Sequence, residues 1–310
     1  MKKTLALLLA LMIAFAFASC GGQANNNTQN NSQTGSASTT YPLSLTDGYG
    51  NSATIEAKPE KIVSLSPGVT EALFAIGAGP QMIGRSEWCT YPAEAASLAT
   101  VGNAYAVDIE KIIELQADIV IVSGIFGGDS VSALNQVGIP VISINYDSID
   151  ALYESVAMLG QISDRSQEAE ALVTSLKADL AALEAACAGF EARKVFMDLG
   201  SLYSSSKADF LGNSVQKINC VNIAFDFDFS SPQLSAEAVI EADPDVYIAT
   251  YDEGAETHAD GFEEIAAFKN GEVYYIPYVD ERADMILRQG PRFVEGLKIL
   301  AAMIHPEAQL

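Results

Sequence analysis

Short apolar, β-branched runs alternate along the first half of the chain with stretches in which apolar residues recur every third or fourth position. Ile62–Leu65, Met82–Gly84, Ile119–Ser123 and Val141–Ile144 read as buried strands. Val69–Ile76, Ile109–Leu115, Val131–Val137 and Ile149–Leu159 read as the helices that follow them. That alternation predicts a mostly parallel sheet covered by helices. The pattern then breaks. From Arg165 to Ala188, Ala169, Leu172, Leu176, Leu180 and Leu183 keep helical spacing with neither Gly nor Pro among them. At 1.5 Å per residue this stretch makes a rod of about 36 Å, long enough to join two lobes. Beyond Gly189 the alternation resumes, with strands at Val195–Leu199, Val221–Phe225, Val246–Ala249 and Val273–Ile276 and helices near Phe210–Ile218, Ala236–Glu241 and Phe262–Phe268. A closing helix begins at Pro291, with Phe293, Leu297, Leu300, Ala301 and Ile304 on one face. The expected fold class is α/β: an N-terminal lobe over 41–164, a connecting helix over 165–189 and a C-terminal lobe over 190–310, each lobe a mostly parallel sheet flanked by helices.

Two segments echo one another across the rod. Asp108 to Val122 aligns with Ser235 to Ala249, each copy holding a polar cap, an amphipathic helix, an Asp turn and a buried strand. One copy precedes the rod and the other follows it, so the lobes read as related halves.

The N-terminus is of another kind. Met1-Lys2-Lys3 precedes an apolar run from Leu5 to Ala18 and then Ser19-Cys20, the pattern of a signal peptide over 1–19. The run falls short of the roughly 20 residues of a membrane-crossing helix, and no later run is as long. Phe17-Ala18-Ser19-Cys20 resembles a bacterial lipobox, with Phe17 where Leu is usual; the resemblance implies that Cys20 is lipidated and anchors the chain to the cell membrane outside the cytoplasm. Residues 20–40, nearly all Gly, Gln, Asn, Ser, Thr and Ala after Cys20, lack the apolar side chains that offset the entropy of ordering and read as a polar tether.

Without Lys2 and Lys3, 15 basic residues face 40 acidic ones, a net charge of −25. Such a field argues against nucleic acid as a partner. Besides Cys20, Cys89, Cys187 and Cys220 show neither metal-like spacing nor a disulfide framework. Buried free thiols are the expected state, with one pair able to form by proximity. The rival class, a secreted α/β enzyme, lacks its motifs: Gly77-Ala78-Gly79-Pro80 follows a helix instead of opening one, and there is no phosphate loop and no Gly-x-Ser-x-Gly elbow. His258 and His305 are too few for a histidine-rich metal site, although His258 lies near Asp252, Glu253 and Glu256. No cofactor and no resident metal is expected.

The stretches Lys61 to Leu73, Tyr91-Pro92, Ile112 to Asp118, Asn222-Ile223-Ala224, Pro232 to Glu237, Asp243-Pro244-Asp245 and Gly290 to Leu297 together resemble the substrate-binding proteins of ABC importers for cobalamin and ferric siderophores, whose lobes are joined by one backbone helix. The resemblance covers nearly all of Lys61 to Glu307. It implies a monomeric receptor that holds one small molecule between its lobes and delivers it to a permease dimer with its cytoplasmic ATPase. In open parallel sheets, ligands bind beyond the carboxyl ends of the strands. The loops there are rich in aromatics, which suits a wide planar ligand. The ligand-binding residues expected are Arg85, Trp88, Tyr91, Phe126, Tyr146, Tyr203, Tyr251 and Arg288. Phe225, Phe227 and Phe229 lie in the same loops, but their alternation is that of a strand face. Only Arg85, Arg282 and Arg288 supply positive charge, against Asp252, Glu253, Asp280 and Asp284. That leans towards a near-neutral, amide-rimmed corrinoid, with a ferric siderophore or haem as alternatives. The resemblance also places one exposed carboxylate on each lobe, Glu71 and Glu237, to meet permease arginines. The alternative for each is a first-turn Glu favoured by its helix dipole. A continuous helix between the lobes predicts closure through only a small angle.

Overall fold

The computed structural model describes residues 38–308 apart from 125–126 and 256–257. The signal peptide, Cys20, the tether up to residue 37 and Phe126 lie outside the described residues. The chain opens with an antiparallel hairpin that the sequence reading did not anticipate, β1 (Leu43–Thr46) and β2 (Ser52–Ile55). Asp47 closes it by accepting the N–H groups of Tyr49 and Asn51, and Gly48 N–H donates to the Ser143 carbonyl at 2.8 Å, which stitches the hairpin to the first lobe.

That lobe runs β3 (Ile62–Ser64), α1 (Pro67–Ala75), β4 (Met82–Arg85), β5 (Ala99–Thr100), α2 (Ile109–Glu114), β6 (Ile119–Ser123), α3 (Gly128–Gln136), β7 (Val141–Ile144) and α4 (Ile149–Ser163). Its five strands are parallel in the order β5-β4-β3-β6-β7. After α5 (Ser166–Cys187), the second lobe runs β8 (Arg193–Asp198), α6 (Phe210–Val215), β9 (Cys220–Asn222), α7 (Ala236–Ala242), β10 (Val246–Ala249), α8 (Ala266–Asn270), β11 (Val273–Tyr275), α9 (Glu281–Leu287) and α10 (Phe293–Ile304). Its four strands are parallel in the order β11-β10-β8-β9. The β5 strand and α9 were not foreseen. Phe225, Phe227 and Phe229 are not a strand face: β9 stops at Asn222, whose side chain donates to the Ser205 carbonyl and accepts the Ala224 N–H, turning the chain out of the sheet.

The two-residue strand period assigns the core. In lobe one Ile119 and Ile121 point to one face of the sheet and Val120 and Val122 to the other. In lobe two Val195, Met197, Val246 and Ile248 point to one face and Phe196, Tyr247 and Ala249 to the other. The first set from each lobe shares a single core with α4, α5 and α10, crossed by edge contacts of the Phe293 ring with Tyr153 and Phe210. The rod is therefore packed from both lobes. Its 22 residues, about 33 Å, bury Ala169, Leu176, Leu180, Leu183 and Cys187. The α4–α5 turn is tight because Asp164 adopts a left-handed conformation and Gly160 leaves room for Ala169, whose Cβ would lie 2.5 Å from any Cβ at 160. Asp164 accepts hydrogen bonds from Ser38 Oγ at 3.0 Å and Thr39 N–H at 2.8 Å, so the folded unit takes hold before residue 41.

Candidate functional site

In both sheets the loops at the carboxyl ends of the strands carry large side chains in the open. Trp88 is 45 % exposed, Tyr91 40 % and Tyr203 44 %. Tyr105, Phe227, Phe229 and Tyr278 are exposed in the same set of loops. Tyr105 escaped the sequence reading because the short β5 before it left no period to detect; its ring lies edge-on to Trp88 at 5.9 Å.

Two predicted ligand contacts belong to the core instead. Tyr146 is 1 % exposed because its ring packs under the first turn of α1, where Gly68 leaves space, and burial raises its phenol pKa. Tyr251 is buried with its hydroxyl donating to Asp198 at 2.7 Å. Arg85 turns back on its own loop, donating to the carbonyls of Ser86 at 2.9 Å and Glu87 at 3.3 Å.

The lobes meet where α1 faces residues 284–292. A Cβ at Gly68 would come within 1.8 Å of the Gln289 carbonyl oxygen, so the two backbones touch there and only glycine fits. Beside this contact lies Glu71, 3 % exposed. Its two oxygens accept from Arg292 Nε and a terminal guanidinium nitrogen, both at 2.8 Å, and Arg288 approaches to 3.6 Å. Glu71 is thus not an exposed docking carboxylate: it sits on the α1 face that lobe two covers, and its charge is spent inside the molecule. Arg288 also reaches Asp284 at 2.9 Å and donates to Thr90 Oγ1 at 3.1 Å across the lobes. Arg292 stacks on the Tyr91 ring at 3.8 Å from its centroid, which fixes one face of that ring. Arg292, which sequence reasoning did not single out as functional, is the hub of this clasp.

The remaining cations of these loops are also paired. Arg282 makes a two-pronged pair with Asp280 at 2.9 and 2.6 Å, and Lys207 meets Asp228 at 2.7 Å. Arg85, Lys207, Arg282, Arg288 and Arg292 thus each have an internal acceptor, while Asp226, Asp252 and Glu253 stand exposed.

Glu237 is exposed in the first turn of α7, capped by Ser235; its own backbone N–H and then the Ser235 hydroxyl lower its carboxyl pKa. The echo between the lobes sets Glu110 in the equivalent place. It too is exposed in a first turn, that of α2, behind a capping side chain, Asp108, which accepts the Lys111 N–H at 2.9 Å.

The histidines are structural. His258 bonds Tyr275 at 3.0 Å and stacks on Phe262, and His305 is buried, bonding the Ile218 carbonyl at 2.9 Å. Among the described residues no three His, Cys, Asp or Glu are grouped to hold a metal ion, and Cys89, Cys187 and Cys220 are buried free thiols. Among the described residues no helix is long and apolar enough to cross a membrane.

Residues 62–279 match the family described as periplasmic binding protein. The uncharacterized ABC transporter substrate-binding lipoprotein YvrC of Bacillus subtilis (strain 168) is 31 % identical over 86 % of this chain and 87 % of its own. A vitamin B12-binding protein of Pectobacterium atrosepticum is 28 % identical over 77 % of this chain and 86 % of its own. A crystal structure from Staphylococcus epidermidis, described as a possible iron-binding (periplasmic solute-binding) protein, superposes with a TM-score of 0.71 at 27 % identity, over 80 % of this chain and 100 % of that one.

Proposed function

This chain belongs to the periplasmic binding protein family, as a substrate-binding protein of an ABC transporter and not an enzyme, and from that premise we propose that its ligand is a corrinoid held between the lobes. The observation that carries the reading is the pairing of the loop cations. Arg85, Lys207, Arg282, Arg288 and Arg292 are each bound to a carboxylate or a carbonyl of the protein itself. An anionic ferric chelate would need such groups for its own charge, since a desolvated anion without a partner is costly. A macrocycle rimmed by neutral amides asks instead for flat apolar surface and exposed acceptors, which Trp88, Tyr91, Tyr203, Phe229 and the carboxylates of Asp226 and Glu253 supply. The vitamin B12-binding relative supports this choice, and the iron-binding neighbour keeps a ferric ligand as the alternative outcome.

Trp88 is the sole tryptophan, so its emission reports directly on the loop. Titration with cyanocobalamin is expected to quench it to saturation at one equivalent. Saturable quenching by haemin or a ferric siderophore, with no response to cyanocobalamin, overturns the ligand assignment and leaves the transport role.

Two further parts complete the reading. Cys20 carries a diacylglyceryl anchor, as the lipoprotein relative supports; two chains hold a protein at a membrane where one does so only marginally. Glu110 and Glu237, equivalent across the lobes and both exposed, are the pair suited to meeting arginines on a two-subunit permease.

A further inference from the structure

The exposed aromatics of lobe two rest on one buried carboxylate outside the ligand surface. Asp198, the last residue of β8, is 1 % exposed and accepts at least four hydrogen bonds. Its Oδ2 takes the hydroxyls of Tyr247 and of Tyr251, the latter at 2.7 Å. Its Oδ1 takes the backbone N–H groups of Gly200 at 2.9 Å and Leu202 at 3.1 Å. Tyr247 is wedged among the rings of Phe196, His258, Phe262 and Phe268, so one oxygen is fixed to a rigid aromatic wall while the other holds a loop.

That loop needs holding. Gly200, Ser201 and Leu202 are left-handed in succession, with φ of 108°, 51° and 61°. For Ser and Leu this conformation is disfavoured and persists only where surrounding bonds over-determine it. The next residue is Tyr203, tied back by its N–H to the Gly200 carbonyl at 2.9 Å and by its own carbonyl to the Leu199 N–H at 2.7 Å. The Tyr278 hydroxyl donates to the Leu199 carbonyl at 2.8 Å, so a second exposed ring hangs on the same loop.

We propose that Asp198 is a positioning residue, a buried anchor that fixes the Gly200–Leu202 turn and thereby aims Tyr203 and Tyr278 at the ligand. The proposal rests on the reading of these loops as the binding surface. Only a carboxylate suits the place: four donors converge on it, and the isosteric amide of Asn would turn its own N–H groups against two of them.

Two arms test this, one of which needs no ligand. In Asp198→Asn, hydrogen exchange at Gly200 and Leu202 is expected to accelerate at least tenfold, while β3 and β6 of lobe one keep their protection. Cyanocobalamin affinity is expected to fall at least tenfold. The same substitution placed in a Tyr203→Ala/Tyr278→Ala background is expected to change affinity by less than twofold, because the rings it positions are already gone. Unchanged exchange at 200 and 202, or a full affinity loss that persists in the double-alanine background, overturns the proposal. Tyr251→Phe, which removes one of these donors, gives a milder version of both effects if Asp198→Asn does not fold. Failure of the wild type to bind cyanocobalamin refutes the corrinoid reading, and the exchange arm then decides the positioning role by itself.

Discussion

Replacing Glu71 tests whether the interlobe clasp is structural. Glu71→Ala leaves Arg292, whose side chain is 12 % exposed, without its two 2.8 Å bonds, and takes from Arg288 a neighbour at 3.6 Å. Removing one partner of a buried pair costs about 3–5 kcal/mol, mostly because the remaining charge stays desolvated. Two contacts soften the loss here: Glu281 lies 3.8 Å from Arg292, and the Tyr91 ring still faces the guanidinium. The low end, about 3 kcal/mol, is therefore expected. For a folded unit of this size about 2 °C of melting temperature accompanies each kcal/mol, so calorimetry should show a drop of about 6 °C. Arg292→Ala should cost a similar amount. The double substitution Glu71→Ala/Arg292→Ala should cost less than the sum of the two, since it strands no charge. Ligand affinity should fall alongside, because Arg292 backs Tyr91. A shift under 1 °C in Glu71→Ala, combined with lost transport and intact ligand binding, would refute the clasp and return Glu71 to a docking role.

Glu110→Ala and Glu237→Ala should leave ligand affinity and the melting temperature within about 1 °C of wild type, as exposed surface substitutions do, while transport in membrane vesicles falls and falls furthest in the double variant; normal transport by both single variants refutes the pair. Cys20→Ala should move the protein from the detergent phase to the aqueous phase on cloud-point partition, and retention in detergent would refute the lipid anchor. The Thr39 N–H, followed by the Ser38 hydroxyl, holds the Asp164 carboxyl below its ordinary 3.8. Its stabilisation is therefore present above about pH 4 and is lost as pH falls through the folded-state value. Asp164→Asn and wild type should accordingly differ in melting temperature at pH 6 and converge as the pH is taken down through the folded-state value below 3.8, and a constant difference would show that the charge is not what matters. Solution scattering should register little change in radius of gyration on ligand binding, and marked compaction would refute the shared interlobe core as a brake on closure.

Much of the fold was legible because it is written in period. Strand and helix alternation, the Gly-free and Pro-free rod and the echo between lobes are one-dimensional facts, and the positions of α1 to α7, α10 and eight of the eleven strands follow from them to within a few residues. The hairpin of β1 and β2 was missed although Asp47-Gly48 between apolar alternations is a turn signal, and the shortness of β5 gave no period to detect. The site divided differently. Trp88 and Tyr146 are both aromatics just past a strand end, yet one is open and the other buried, because Gly68, far away in the sequence in the first turn of α1, leaves room over only the second.

Glu71 shows the limit most clearly. It and Glu237 both read as a Glu early in a helix; the registers differ, with Glu237 in the first turn of α7 and Glu71 one turn further into α1, but neither register foretells burial. What separates them is Arg292, 221 residues further on, which the closing helix brings against α1. The internal echo did contain the remedy, since its register pairs Glu237 with Glu110 and leaves Glu71 without a counterpart. In a duplicated receptor, a function that engages both lobes alike falls on residues the duplication keeps in step, whereas a bond between the lobes needs unlike partners and falls on residues out of step. Glu110 and Glu237 meet the first condition, and Glu71 with Arg292 the second. The same sorting applies to the ligand surface. One ligand lying between two related lobes meets each from a different side, so its contacts have no reason to repeat, and Trp88 and Tyr203 do not correspond in the echo.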